Sequence, residues 1–320
     1  MSTMRAVVIG ATGAPEVLSV AEVQQPATIN AEFLVKVIAA GVNPIDAKTR
    51  AGRGVSALLD FPAILGNDFS GIVVSSPYEG HPIKPGDEVY GMAQVPRNGG
   101  TYAEFVSVPS MSIARKPKAL SHVEAAAVPL AALTAWGMVV DLAKAHEGQR
   151  ILIHAGAGGV GHFAVQFARF FGAWVIATGS TRNLGWLSDL GANEVIDYTA
   201  TRFEEVVENV DVVIDLIGNV HDETGTRSLA VLRPGGLIVN APTGSWDSLI
   251  DDAAAAGFRA SRYKVSADGS TLAVISRLLE SGDVRVFVDK VFDLDQAADA
   301  HRALETGHTR GKIVLKVSDY

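Results

Sequence analysis

The chain predicts an α/β fold, a doubly wound parallel sheet joined to a mainly β, barrel-like domain, and three observations carry that prediction. The run from Ile151 to Ala168 reads as a buried strand, a glycine turn and an amphipathic helix in immediate succession. From Arg150 onward short apolar runs alternate with helical patterns, the rhythm of βαβ units. Some 150 residues precede this region, and they hold short apolar or alternating runs separated by Gly, Pro and Asn turns.

Taken in order, strands are expected at Arg5 to Ile9, Phe33 to Ala40, Gly71 to Ser75, Glu88 to Ala93 and Thr101 to Val108. At Ser121 the texture changes, because Ser121-His-Val-Glu124 has capping-box spacing and a long Ala-rich helical pattern follows. The uncharged stretch Ala125 to Val140 is shorter than the roughly 20 residues a membrane span needs and contains Pro129. It reads as a buried helix.

The parallel sheet then takes strands at Ile151 to His154, Trp174 to Thr178, Glu194 to Ile196, Val210 to Ile214 and Leu237 to Asn240, with helices running to Phe171 and to Leu190. Val212-Val-Ile214 is apolar throughout, as in a strand covered on both faces. A strand-like run Ala260 to Val265 is followed by a helix over Gly269 to Ser281, then by strand runs around Val284 to Phe292 and Lys312 to Val317. The expected domains are 1–124, a nucleotide-binding domain over 125–265, and a segment 266–320 that returns to the first domain.

Bulk properties narrow the partners. A length of 320 residues suits two domains at about 150 residues each, and a hydrophobic content of 48% suits a packed globular protein. A net charge of -8 without a Lys/Arg cluster lacks the electrostatic footprint of nucleic-acid binding or of attachment to anionic membranes. Small molecules are the expected partners. The chain has no cysteine, which excludes disulfides, thiolate metal sites and catalytic thiols and suggests a cytoplasmic location. Met1 to Gly10 shows no secretion signal, having no long apolar core and no small-residue cleavage site.

The chemistry begins at the glycine turn. Gly156, Gly158 and Gly161 form G-x-G-x-x-G, and with Gly159 and Val160 they make the expected pyrophosphate-binding loop at a helix N-terminus. An NAD-binding fold places an acid at the end of the second strand, about 20 residues on, to hold the ribose diol. Here that position reads Ala177-Thr-Gly-Ser-Thr-Arg182, and no acid occurs before Asp189. Ser180 and Arg182 instead suit a 2′-phosphate, so the expected cofactor is NADPH. Arg182 could alternatively just open the next helix. Gly307 to Ile313 misses the P-loop spacing and lacks the magnesium-binding hydroxyl, so it reads as a turn. His154 and His162, flanking the glycine turn, read as packed or capping residues.

Further motifs are Asn43-Pro-Ile-Asp46, Gly66-Asn-Asp-Phe-Ser-Gly71 with Pro62 before it, Leu133-Thr-Ala-Trp136, Leu232-Arg-Pro-Gly-Gly236 and Arg310-Gly-Lys-Ile-Val314. With the glycine turn, they make the chain resemble the medium-chain dehydrogenase/reductase superfamily over essentially its whole length. Within it, the pattern is similar to the zinc-free quinone oxidoreductase branch, whose members reduce quinones or activated enones with NADPH.

The resemblance implies a GroES-like first domain and a Rossmann domain, with substrate held in the cleft between them. Zinc-dependent relatives carry Gly-His-Glu-x-x-Gly where this chain has Gly66 to Gly71, and a cysteine where Asn43 to Asp46 lie. Both ligands are replaced, so no metal is expected. Without a Lewis acid the substrate must already be activated for hydride, as a quinone or an enone is.

By resemblance, Asn43 faces the nicotinamide and its amide can hold a carbonyl oxygen, although Asn-Pro is also an ordinary turn initiator. Asp46 or Lys48 could help a proton reach carbon if the substrate is an enone. Asp68 reads as a residue that bonds backbone in its own turn. Thr134 and Tyr198 resemble family positions near the nicotinamide and the adenosine phosphate. The reading is therefore an NADPH-dependent quinone reductase. Two alternatives are a C=C reductase of 2-enals or enones, and a cofactor-binding structural or sensor protein without turnover. Relatives commonly dimerise through the Rossmann sheet edge, here the run Phe258 to Val265, so a homodimer is expected.

Overall fold

The computed structural model describes residues 2–97 and 99–320. Contacts divide it into two units, one running to Leu133 and resuming over Ser266–Tyr320, the other spanning Thr134–Val265. The first division lies beyond the expected 124/125, and the helix His122–Ala126, which packs on the strands Glu32–Val42 and Asp68–Ser75, belongs to the first unit.

The second unit is built on a six-stranded parallel sheet. Its strands are Arg150–Ile153, Trp174–Gly179, Glu194–Asp197, Val210–Asp215, Leu232–Asn240 and Arg259–Arg262, and numbered by sequence their spatial order is 3-2-1-4-5-6. That is the doubly wound order, which brings the carboxyl ends of the two central strands to a topological switch point. Val212, Val213 and Ile214 are buried, which explains their unbroken apolar sequence. Among the described residues no helix is long and apolar enough to cross a membrane.

The first unit holds two sheets around one apolar core. A three-stranded antiparallel sheet orders Leu18–Gln24, Thr3–Ile9 and Ala63–Ile64. A seven-stranded sheet runs Val288–Asp293, Lys312–Lys316, Glu32–Val42, Asp68–Ser75, Glu88–Met92 and Ile113–Arg115, with Phe105–Pro109 paired to Glu32–Val42. Val7, Ile9, Phe33, Val35, Phe69, Tyr102, Val106, Ile313 and Leu315 belong to the same core cluster, drawn from both sheets.

Differences from the expected elements have local causes. The helical pattern after Ser121 splits into His122–Ala126 and Pro129–Trp136, because Pro129 has no N–H to continue a helix. The Ser121 capping box does form, with Glu124 N–H donating to Ser121 Oγ at 3.2 Å and Ser121 N–H to Glu124 Oε2 at 2.8 Å. The strand expected from Thr101 starts only at Phe105. Leu18–Gln24 and the helix Ala297–Glu305 are additional elements.

Candidate active site and cofactor loop

In the second unit the strand Arg150–Ile153 leads into the glycine turn, and the helix Gly161–Phe170 begins at its last glycine. A Cβ on Gly161 would lie 2.2 Å from Ala155 O and 2.8 Å from Gly156 C, so only glycine lets the helix close on the strand. A Cβ on Gly158 would meet only Ala155 O, at 3.3 Å, so that side of the loop is open. Gly158, Gly159 and Val160 are partly exposed, and no side chain caps the helix. An open loop at an uncapped helix N-terminus fits a pyrophosphate.

Ser180, Arg182 and Tyr198 lie at the carboxyl ends of two neighbouring strands. Gly179 pairs with Asp197, and Tyr198 N–H donates to Gly179 O at 3.2 Å. Ser180 Oγ accepts from Asn183 Nδ2 at 3.2 Å, Arg182 is exposed, and Tyr198 is exposed. One acid near this site was not singled out from the sequence. Asp197 accepts from the hydroxyls of Thr181 at 2.5 Å and Thr199 at 2.6 Å, and the first of these bonds leads in holding its carboxyl below the usual range.

Further along the same sheet, Asp215 accepts from the N–H groups of Ile217 and Gly218 and from Asn240 Nδ2 at 2.8 Å. A cavity of about 150 Å³ opens beside Asn240, Pro242 and Tyr263. Thr134 is buried on the helix Pro129–Trp136. His154 is buried between Ser228 Oγ, at 2.8 Å, and Thr178 Oγ1, and burial pushes its imidazole down to about 4. It is a packed residue. His162 also packs, its Nδ1 lying 3.0 Å from Gly158 O.

In the first unit, Asn43 and Asp46 sit at the start of the helix Pro44–Arg50, where Pro44 supplies the fixed φ of a first helical position. Asn43 N–H donates to Asp46 Oδ2 at 2.8 Å, closing the N-terminus. The strand Asp68–Ser75 brings in the second pair. Asn67 Nδ2 donates to Asp46 Oδ1 at 2.7 Å, and Asn43 Nδ2 donates to Asp68 Oδ2 at 2.9 Å. Asp68 Oδ1 accepts from Leu130 N–H at 2.7 Å, so this carboxylate bonds across the fold and not within its own turn.

Three further residues complete the network. The Lys312 ammonium donates to Val42 O at 3.0 Å and to Asn43 Oδ1, and it stands 3.6 Å from Asp68 Oδ2. Tyr102 donates its single hydroxyl proton to Asp46 Oδ2 at 3.1 Å and lies 3.2 Å from His301 Nε2. With that proton committed, the oxygen accepts from His301 Nε2–H, which leaves His301 Nδ1 as a bare acceptor. That atom is buried without a partner.

Burial dominates the electrostatics. It pushes the Asp46 carboxyl up to about 7, with Asp68 adding to the shift and the Asn43 N–H, Asn67 and Lys312 opposing it. Burial raises Asp68 and lowers Lys312, each resisting the shift of the other. Burial, then Arg50, pushes His301 down to about 3. Lys48 is half-buried, and burial followed by Arg53 lowers its ammonium.

Sequence reasoning brought Asn43 and Asp46 together but missed Lys312, Tyr102 and His301. The signal for Lys312 was a lysine opening the apolar run Ile313-Val-Leu315. The donor set does not fit a catalytic zinc, which takes about three neutral-nitrogen, thiolate or carboxylate ligands. Two of the four side chains Asn43, Asp46, Asn67 and Asp68 are amides, and a buried ammonium would oppose a second cation. Among the described residues no group of three His, Cys, Asp or Glu is placed to hold a metal.

Residues 30–118 match the family model for the alcohol dehydrogenase GroES-like domain, and residues 190–315 that for zinc-binding dehydrogenase. The chain is 34% identical to mitochondrial NAD(P)H oxidoreductase RTN4IP1 of Danio rerio over 90% of its own length and 84% of that protein. It is 37% identical to 2-methylene-furan-3-one reductase of Solanum lycopersicum, over 89% and 71%. The solved quinone oxidoreductase from Coxiella burnetii is 37% identical with a TM-score of 0.92, covering 99% of this chain and 100% of that one. The Escherichia coli quinone oxidoreductase, solved with NADPH, is 28% identical with a TM-score of 0.86, covering 99% and 100%.

Proposed function

The chain belongs to the medium-chain dehydrogenase/reductase family, in its zinc-free quinone oxidoreductase branch, and we propose on that footing that its substrates are small quinones. It is an NADPH-dependent oxidoreductase. The observation that carries the choice of substrate is the Asn43–Asp68–Lys312 network, an amide clamped by an ion pair where zinc relatives keep metal ligands. With no Lewis acid to polarise an alcohol or a simple ketone, the acceptor must be electrophilic by itself.

The glycine loop Gly156–Gly161 is proposed to hold the pyrophosphate, Ser180, Arg182 and Tyr198 the adenosine phosphate, and Thr134 the nicotinamide side. Bound NADPH supplies hydride. Asn43 is proposed to orient the acceptor oxygen through its amide. The Asp46 oxygens already accept from Asn43, Asn67 and Tyr102, which suits Asp46 to positioning those groups. Lys48, with an ammonium lowered by burial, is the better candidate to assist a proton transfer. An enone or 2-enal is the second reading, supported by the likeness to a furanone reductase.

An acceptor screen tests both readings. After exhaustive chelation the purified protein should oxidise NADPH with small quinones. Activity that disappears with the chelator and returns with zinc sinks the proposal. Product analysis separates the readings, since a saturated carbonyl replaces a quinol if the enone is the true acceptor. Arg182→Ala should weaken NADPH binding about tenfold or more, the worth of one or two charge-assisted hydrogen bonds, and leave NADH unaffected. Equal losses with both cofactors contradict the phosphate role.

A further inference from the structure

The least expected group in the first unit is the Lys312 ammonium, 3% exposed and 269 residues from Asn43. A buried ion pair is weak support for stability, because well-packed neutral residues of similar volume often do as well or better. Its partners point to another role. Lys312 donates to Val42 O and Asn43 Oδ1, and its charge stands 3.6 Å from the Asp68 carboxylate. An ammonium only donates and a carboxylate only accepts, so the Asn43 amide sandwiched between them has one permitted orientation, oxygen toward Lys312 and nitrogen toward Asp68. Of the two Nδ2 protons, one goes to Asp68. The other has no partner among the described residues.

We infer that Lys312, acting with Asp68, is a positioning residue that locks the Asn43 amide as a hydrogen-bond donor toward the acceptor oxygen of the substrate. The inference rests on the reading of Asn43 as a substrate contact. Any oxygen that gains negative charge as carbon accepts hydride, in a quinone or in an enone, is served by a fixed N–H and not by a freely flipping amide. The site therefore selects acceptors bearing a carbonyl-type oxygen, and a hydride acceptor without one gains nothing from it.

A double-mutant cycle tests this. Lys312→Met alone leaves Asp68 as an uncompensated buried charge and endangers folding, so the working variant is Asp68→Asn with Lys312→Met, which removes both charges together. Asn43→Ala and the triple variant complete the cycle. Two readouts are taken: kcat with a quinone, and binding of 4-nitrophenol, an oxygen-bearing probe that needs no turnover, to the NADP⁺ complex.

If Lys312 acts through Asn43, the charge-free variant and Asn43→Ala each lower kcat and phenol affinity about tenfold, NADPH affinity stays at the wild-type value, and the triple variant is no worse than either. Additive losses, or a charge-free variant that matches wild type, overturn the inference. A wild-type protein that binds the phenol with this pattern but turns over no acceptor refutes the proposed reaction and leaves the clamp standing. A wild type that does not bind the phenol refutes the clamp.

Discussion

Gly161→Ala should abolish NADPH binding, raising Kd at least about a hundredfold, and should also lower stability by about 1–3 kcal/mol, the usual cost of forcing an extra methyl into a packed site. The new Cβ would stand 2.2 Å from Ala155 O and 2.8 Å from Gly156 C. Both are backbone atoms of the loop itself. The helix Gly161–Phe170 must therefore lift off the strand Arg150–Ile153, and the loop N–H groups move with it. Gly158→Ala is the informative contrast. Its Cβ meets only Ala155 O at 3.3 Å, so the fold should hold while the methyl blocks the open side where a phosphate would approach. Titration of NADPH fluorescence and a thermal melt of each variant check the pair. Wild-type affinity in Gly161→Ala rejects the loop assignment.

The second large effect concerns the pH dependence of stability, which Asp46→Asn should alter. Burial pushes the folded Asp46 carboxyl up to about 7 from an ordinary value of 3.8. Between these limits the folded chain keeps a proton that the unfolded chain has released. Stability from this group is therefore full in acid and falls as pH rises through the window, at about 1.4 kcal/mol per unit. The loss is complete above about pH 7 and reaches at most about 4 kcal/mol.

His301 and His154, pushed down to about 3 and about 4, act in the opposite sense. Each stays neutral when folded while its unfolded counterpart takes a proton below about 6.5, so each costs stability as pH falls. The wild-type curve sums these trends. The difference between Asp46→Asn and wild type isolates the carboxyl, because Asn67 can turn its amide to meet the new one. Denaturant midpoints at pH 5, 6, 7 and 8 should show the variant gaining on wild type up to pH 7 and no further. A gap that is independent of pH rejects the raised carboxyl.

Much of the architecture was legible because its causes are local. The helix Gly269–Ser281 has both its limits in the sequence: Asp268 accepts from the N–H groups of Ser270 and Thr271, and Gly282 takes a φ of +79° beyond the last turn. Val212-Val-Ile214 announced a strand buried on both faces by composition alone. The helix Ala297–Glu305 carried a signal that went unread, the Asp293-Leu-Asp-Gln296 spacing in which Asp293 N–H donates to Gln296 Oε1 at 3.0 Å. Leu18–Gln24 left a weaker trace, since its side chains are exposed or half-exposed and it pairs with Thr3–Ile9 on one side only.

The candidate site divides along the same line. Asn43 and Asp46 share one helix turn, so their pairing could be read from three residues of spacing. Asn67 and Asp68 could be seen to replace metal ligands, but not to bond Asp46, Asn43 and Leu130. Tyr102, His301 and Lys312 were invisible because their relation to Asp46 and Asn43 is created by tertiary structure, across 56 residues from Tyr102 to Asp46 and 269 from Lys312 to Asn43. A lysine opening the apolar run Ile313-Val-Leu315 marks an unusual position, but not the residues it meets.

The interrupted first unit sets the order in which the molecule can be completed. Residues 134–265 form one uninterrupted stretch, so the parallel sheet has all of its strands once residue 262 has left the ribosome. The seven-stranded sheet does not. The strand Lys312–Lys316 sits between Val288–Asp293 and Glu32–Val42, with Ile313 opposite Val42. Until it is synthesised, the edge of Glu32–Val42 has no neighbour on that side, and Asp46 and Asp68 share a site without its cation. The parallel sheet can thus be finished while Asn43 still lacks one of its partners, which arrives only with the strand Lys312–Lys316.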